Sequence, residues 1–430
     1  MGFSKLKTTE IKQRFIKLFS VNLLVKGVNF LLLPIYLNLM SPEEFGNYSY
    51  IISIIGMMAL VFGVGQHATL NRFYHSSEYT KDALIENVHL IVFTSFIFFG
   101  VCIIFFKSYF IKFFLKHSIN DIVFYSMLAL AMLTALNQLL MTFLFQSENV
   151  KMVQRKCIVE IFVFNIFSLS LLYFVPLPKD ELRILATAIS YIIILIFYYR
   201  CFFKKTNFKF DNYSIGFYKR GIINGFPIAI GSCSNFFITF GDRFAIEKIL
   251  DKSSLGVFSF AMVIISILML VFQSFQNVWL PYFFKEKNLD LSFQRTYKIT
   301  LIFFGVSVIM GIGFYGLVYI LATYFINHLY IESLAFLWLL VFASFFQIAG
   351  MTMAGFYQIY EKNHIVVPIN ILAGGINIIM NFYFIKQYGI LGAALSTALI
   401  SVMLFIVHFY LVHFYRNKGN YGEYFTKYKT

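Results

Sequence analysis

Charge is scarce in this chain. Asp, Glu, Lys and Arg make up 13% of its 430 residues, about half the share found in an average soluble domain. Hydrophobic residues make up 59% and aromatic residues 20%. A soluble fold of this length could not hide so much apolar surface, so the solvent must be lipid. Polar and apolar residues do not alternate along the apolar runs, which argues against a β-barrel. The helix is then the element that pairs every backbone group in lipid. The four cysteines, Cys102, Cys157, Cys201 and Cys233, fall in apolar runs without CxxC spacing. Neither a disulfide framework nor a zinc site is expected. The basic N-terminal segment, with Lys5, Lys7, Lys12, Arg14 and Lys17, is followed by no small-residue cleavage site, so the first apolar stretch reads as a retained span. GxSxG, HExxH, Walker A and strand-borne GxGxxG motifs are absent. The acidic residues form no exposed pair of the kind glycosyl transfer needs. No enzyme, resident metal or cofactor is expected, and no ATPase domain is present.

What is present is a series of apolar runs, each long enough to cross a bilayer in about 20 residues. Twelve spans are predicted, at 15–40, 48–66, 86–106, 121–145, 157–176 and 184–203, then at 222–250, 256–278, 297–326, 333–356, 364–386 and 389–413. With the N-terminus inside, 25 of the 35 Lys and Arg residues fall on the cytoplasmic side, 9 on the other side, and Lys26 within a span. That bias places both termini in the cytoplasm. The net charge of +15 is mostly this bias together with attraction to anionic lipid, and nucleic-acid binding is not expected.

Short patterns recur in order. Phe45-Gly46-Asn47-Tyr48-Ser49-Tyr50 returns 210 positions later as Leu255-Gly256-Val257-Phe258-Ser259-Phe260. Ile97-Phe98-Phe99-Gly100-Val101 returns at Ile302–Val306, and Leu185–Ser190 returns at Leu391–Ser396. The chain thus reads as two similar halves of six spans, residues 1–203 and 222–413, joined by a basic cytoplasmic linker, 204–221, and followed by a basic tail, 414–430. An even number of spans per half sends both halves into the membrane in the same direction. A pseudo-twofold along the membrane normal is expected, with substrate passing at the interface of the halves.

Polar residues inside spans are the candidates for function. Asn22, Lys26 and Asn29 share one face of the first span at i, i+4, i+7. That stripe either faces a wet cavity, or Lys26 snorkels to the headgroups. The seventh span repeats the design with Asn235, Thr239 and Asp242, flanked by Arg243 and Glu247. Those last charges read as cavity groups or as a structural ion pair. Glu160 is an intramembrane carboxylate, either paired with Arg155 or Lys156 or free to titrate. Arg72 is an interfacial anchor or a first contact for an anionic headgroup. No residue is assigned a catalytic role. Asp242, Glu160 and Glu247 are the candidates for exchanging a proton or sodium ion.

Several of these segments carry a resemblance. Leu39-Met40-Ser41-Pro42-Glu43-Glu44-Phe45-Gly46-Asn47-Tyr48, Leu70-Asn71-Arg72-Phe73-Tyr74, Asp242-Arg243-Phe244 with Leu255-Gly256-Val257-Phe258, and Gly389-Ile390-Leu391-Gly392-Ala393-Ala394 together resemble the bacterial polysaccharide-biosynthesis flippases. That family belongs to the exporter superfamily that also holds multidrug-and-toxin extruders and lipid II flippases. The resemblance implies an all-α membrane protein with two six-helix bundles forming a V. It also implies movement of undecaprenyl-diphosphate-linked oligosaccharide repeat units across the bacterial cytoplasmic membrane for O-antigen, capsule or similar polymers. Membrane lipids and polysaccharide-assembly proteins would be its partners. Family cavities are cationic, and Lys26 and Arg243 are the matching cations here. An ion-coupled multidrug extruder of the same fold is the nearest alternative, which the cations oppose and the buried acids leave open. A membrane glycosyltransferase or polymerase is the more distant one.

Overall fold

The computed structural model describes residues 27–74, 79–115, 119–147, 149–203, 214–285, 289–360, 362 and 365–417. The described residues are helical almost throughout and contain no strand, as lipid requires of continuous apolar runs. The first described helix, α1, spans Gly27–Leu39. The next, α2 (Pro42–Gly63), begins where sequence chemistry says it should. The Ser41 backbone N–H donates to the Glu44 carboxylate at 2.8 Å, and the Glu44 N–H donates to the Ser41 hydroxyl at 3.2 Å. This reciprocal capping box satisfies two end donors, and Pro42 occupies the first helical position, where its missing N–H costs nothing.

Left-handed conformations at Val64 and Gly65 end α2 and start the short α3 (Gln66–Phe73). Then come α4 (Lys81–Phe105), α5 (Lys107–Phe114), α6 (Asp121–Gln146), α7 (Val150–Phe174) and α8 (Lys179–Phe203). Three of these helices open on side-chain caps from Thr80, Asn120 and Asn149, the residue types that best occupy that position. The long helices α9 (Ile215–Ile249), α10 (Lys252–Lys285) and α11 (Leu289–Tyr324) follow. A 3-10 turn at His328–Ser333 leads to α12 (Leu334–Ala354), α13 (Phe356–Ile359), α14 (Val366–Tyr388) and α15 (Ile390–Asn417).

Eleven of these helices are long and apolar enough to cross a membrane, and α1 is a shorter apolar helix. They correspond one to one with the twelve predicted spans. The first predicted span, 15–40, extends into residues outside the described set. The short helices α3 and α5 were not anticipated as separate elements. Polar α3 carries no run of apolar residues, and α5 is divided from α4 by a backbone break at Phe106, a position whose side chain gives no signal.

The chain divides into two compact units. One holds residues 1–40 and 47–233, the other 41–46 and 234–430. The breaks at 46/47 and 233/234 fall inside α2 and α9, so each of these helices contributes to both units. In the first unit α8 packs against α6 and α7 around Ile85, Leu140, Leu144, Val153, Ile194 and Tyr198. In the second, α15 runs along α12 and α14, with Phe293, Met353, Phe356, Tyr357 and Val412 at its centre. Phe98, Phe105, Ile166, Phe174, Leu301, Ile309, Ile379 and Tyr410 stand exposed, as expected of side chains that face lipid tails.

Two glycine pairs explain close helix crossings. Within the second unit, a Cβ on Gly46 would strike the Lys252 carbonyl, and a Cβ on Gly256 would strike the Pro42 carbonyl. Gly46 and Gly256 are the repeat-related glycines, and Pro42 and Lys252 are related by the same shift of 210 positions. Within the first unit, Gly65 and Gly225 exclude each other's Cβ in the same way against backbone carbonyls. The Gln66 amide ties the corner by donating to the Val64 and Gly221 carbonyls, both at 3.0 Å.

Candidate functional site

Polar side chains collect at one place in each unit. In the first, α1, α2, α6, α7 and α8 enclose a cavity of about 410 Å³ whose polar lining includes Asn29, Tyr48, Thr134, Cys157, Glu160, Thr187 and Tyr191. Two of the sequence-nominated residues, Asn29 and Glu160, therefore meet here. Asn22 and Lys26 lie outside the described residues. Of the two cations offered as partners for Glu160, Lys156 holds it, with Nζ 2.7 Å from Oε2 one helical turn away. The lysine side chain is 1% exposed and the carboxylate 24%, so the carboxylate faces the cavity and its counter-charge stands behind it.

Asn165 organises the other side of this cavity. Its amide nitrogen donates to Asn29 Oδ1 at 3.4 Å and to the Ile161 carbonyl at 2.8 Å, while its oxygen accepts from the Tyr36 hydroxyl at 2.7 Å. The Tyr36 ring in turn stacks on Arg183, whose guanidinium carbon lies 4.0 Å from that ring's centroid and 4.2 Å from that of Tyr48. An arginine between two aromatic faces is held by cation–π attraction where water is excluded. Asp180, one turn earlier, accepts from the Asn47 amide. Sequence reasoning missed Arg183, counting it with the outer-side cations because it lies at the end of a span. Nothing in the sequence pairs it with Tyr36 and Tyr48.

In the second unit α9 presents a polar stripe that grows more buried along its length. Asn235 is exposed, Thr239 half-buried with its hydroxyl donating to the Asn235 carbonyl at 3.0 Å, and Asp242, Arg243 and Glu247 are buried. Gly374 lets α14 approach the Ser234 carbonyl. Asn377 then donates to the Phe237 and Ile238 carbonyls at 3.0 and 3.1 Å, and Asn381 donates to Asn377 at 3.2 Å. Asp242 Oδ1 accepts from the Arg243 backbone N–H at 2.7 Å. The Arg243 guanidinium lies 4.7 Å from the Phe240 ring centroid. Its Nε and Nη1 are buried without a hydrogen-bond partner among the described residues.

Burying a cation with unused donors is costly unless an anion or acceptor meets it. Arg243 is thus chemically suited to an anionic ligand. Arg72 sits apart, exposed at the end of α3, donating to Asn224 Oδ1 at 3.1 Å and lying 5.4 Å from the Phe73 ring centroid. Among the described residues no group of three His, Cys, Asp or Glu side chains is arranged to hold a metal ion.

These features define a class: a multi-pass, all-helical membrane protein of transporter architecture. The backbone is similar to an inward-facing multidrug-resistance MATE transporter of the MOP superfamily, with a TM-score of 0.70 over 93% of this chain and 96% of the other at 13% identity. An outward-facing MATE transporter of the same superfamily gives a TM-score of 0.66 over 95% and 96% at 14% identity. A MOP superfamily transporter from Pyrococcus furiosus, described as having a binding pocket of reverse polarity that suggests a different function, gives 0.59 over 94% and 95% at 15% identity. The polysaccharide biosynthesis protein family matches residues 11–287, and the chain belongs to that family. A protein of the Lsg locus of Haemophilus influenzae is 24% identical over 294 residues, covering 65% of this chain and 67% of its own length.

Proposed function

We propose that this chain is a flippase that moves undecaprenyl-diphosphate-linked oligosaccharide repeat units from the inner to the outer leaflet of the bacterial cytoplasmic membrane. The product would feed O-antigen, capsule or similar surface-polymer assembly. The observation that carries this reading is Arg243. A member of a polysaccharide-biosynthesis family keeps, on a membrane span, a buried guanidinium with two nitrogens lacking hydrogen-bond partners among the described residues. A lipid-linked diphosphate offers the oxygen acceptors that a guanidinium binds in pairs. Lys26 adds a second cation on the first span. Asn22, Asn29, Asn235 and Thr239 supply neutral polar contacts along the path, and Arg72 makes a first contact at the cytoplasmic mouth. Transport proceeds by alternating access with both termini in the cytoplasm.

Asp242 is the carboxylate best suited to exchange a proton or sodium ion during the cycle, with Glu247 beside it on α9. Glu160, with Lys156 as its counter-charge at 2.7 Å, is the second candidate. Reconstituted flipping measured with and without imposed proton and sodium gradients checks the coupling. Asp242→Asn should lose the gradient response that wild type shows, and an unchanged response removes Asp242 from coupling.

The function itself is tested by measuring lipid-linked oligosaccharide in each leaflet of cells with and without the protein. Loss of the protein should leave the glycolipid on the cytoplasmic leaflet. An unchanged distribution overturns the reading.

A further inference from the structure

We propose that the cavity of the first unit is a sugar subsite, binding a neutral, hydroxyl-rich residue of the transported glycan. The proposal rests on the flippase reading and adds to it where the sugar, rather than the diphosphate, is held. At about 410 Å³ the cavity falls in the range of small-molecule sites and far exceeds a bare ion. Its hydrogen-bonding inventory is specific. The hydroxyls of Thr134 and Thr187 each donate to the carbonyl four residues back, Leu130 and Arg183, both at 2.7 Å. A hydroxyl that has spent its proton keeps lone pairs to accept with. The Glu160 carboxylate also accepts. The Asn29 amide nitrogen makes no hydrogen bond among the described residues, its oxygen being taken by Asn165, and so can donate.

These groups, with the hydroxyls of Tyr48 and Tyr191, which can donate or accept, and the rings of the same two residues in the lining, suit a ligand that presents several hydroxyls and an apolar ring face. They do not suit a diphosphate, which is acceptor-rich and anionic and would meet the Glu160 carboxylate. A bound cation is also disfavoured. Lys156 already neutralises Glu160 at 2.7 Å, and no cluster of three acidic, His or Cys side chains converges here among the described residues. The cavity is therefore neutral overall and polar in detail, which is the chemistry of a sugar.

Cys157 lines the same cavity and provides the test. A variant with Cys102→Ser, Cys201→Ser and Cys233→Ser keeps Cys157 as its one thiol. Its rate of modification by N-ethylmaleimide is measured in detergent with three probes: lipid-linked oligosaccharide purified from export-deficient cells, undecaprenyl diphosphate, and sodium chloride against choline chloride. The glycan-bearing lipid should slow modification roughly tenfold at ten times its Kd, since the free fraction falls with occupancy. Undecaprenyl diphosphate and sodium should leave the rate unchanged. Thr134→Val and Thr187→Val preserve shape and remove an acceptor, and each should raise the protecting concentration of the glycan-bearing lipid about three- to tenfold without changing binding of undecaprenyl diphosphate. Equal protection by undecaprenyl diphosphate, or protection by sodium, overturns the subsite. So does protection that ignores both threonine variants. A melting shift with the glycan-bearing lipid but no protection overturns the subsite and leaves the flippase reading standing. No melting shift with that lipid overturns the flippase reading and the subsite with it.

Discussion

Removing the Glu160 carboxylate should harm the protein more than removing its lysine partner. The reason is asymmetry of burial: the Lys156 side chain is 1% exposed, Glu160 24%. Glu160→Gln strands an ammonium in the bundle interior. Breaking a buried pair from one side costs about 3–5 kcal/mol, and the partial exposure of the carboxylate puts this case at the low end, about 3 kcal/mol. Lys156→Met leaves a carboxylate that water in the cavity can still reach, so the cost should be nearer 1 kcal/mol, the order of an unpaired but hydrated group. The double variant removes both charges and should recover about 1–2 kcal/mol of the summed loss, as directly paired residues do. The first unit has 227 residues, and each kcal/mol shifts the midpoint of a domain of that size by roughly 2–4 °C. Glu160→Gln should therefore lower the apparent melting midpoint of the detergent-solubilised protein by about 6 °C or more, and Lys156→Met by about 2–4 °C. If Lys156→Met is the worse of the two, or if the double variant shows the simple sum of both, the 2.7 Å pair is not the stabilising unit inferred here.

Three further outcomes are expected. Gly46→Ala and Gly256→Ala each drive a Cβ into a backbone carbonyl that cannot turn aside. Overpacking of this sort costs about 1–3 kcal/mol, visible as a lower melting midpoint, whereas Gly305→Ala, with open space around its Cβ, should be neutral. Arg243→Ala and Lys26→Ala should impair glycan export at normal protein levels, with Arg243→Lys and Lys26→Arg retaining more activity than the alanines; loss of protein instead of export would make these cations structural. A cysteine introduced at Asn327 should be labelled by an impermeant reagent from outside, and one at Asn207, which lies outside the described residues, should not; the reverse pattern inverts the topology.

The helical spans were legible because lipid selects long apolar runs, and a run of that kind needs no tertiary information to be recognised. The repeat was legible at Gly46 and Gly256 because close backbone approach admits glycine alone, and that constraint leaves a mark in the sequence. The capping box at Ser41–Glu44 is local chemistry of the same legible kind. The cavity in the first unit was not legible. Thr134, Thr187 and Tyr191 are ordinary span residues one at a time, and they become a site when α6 and α8 set them opposite Glu160. Arg183 misled for a related reason. It lies near the end of an apolar run, where a cation normally reaches headgroups, but it inserts between Tyr36 and Tyr48. Which way it turns is set by partners on other helices, and helix periodicity carries no record of them. The Lys156–Glu160 pair, by contrast, was one of the pairings the sequence offered, and the structure forms it one helical turn apart.

The most direct test of the flippase account is translocation by the purified protein in sealed vesicles. Lipid-linked oligosaccharide is placed in one leaflet, and its arrival in the other is followed by the access of an impermeant glycan-modifying enzyme. The account predicts transfer that requires the wild-type protein and is strongly reduced by Arg243→Ala. Equal transfer by protein-free vesicles, or undiminished transfer by Arg243→Ala, would contradict it.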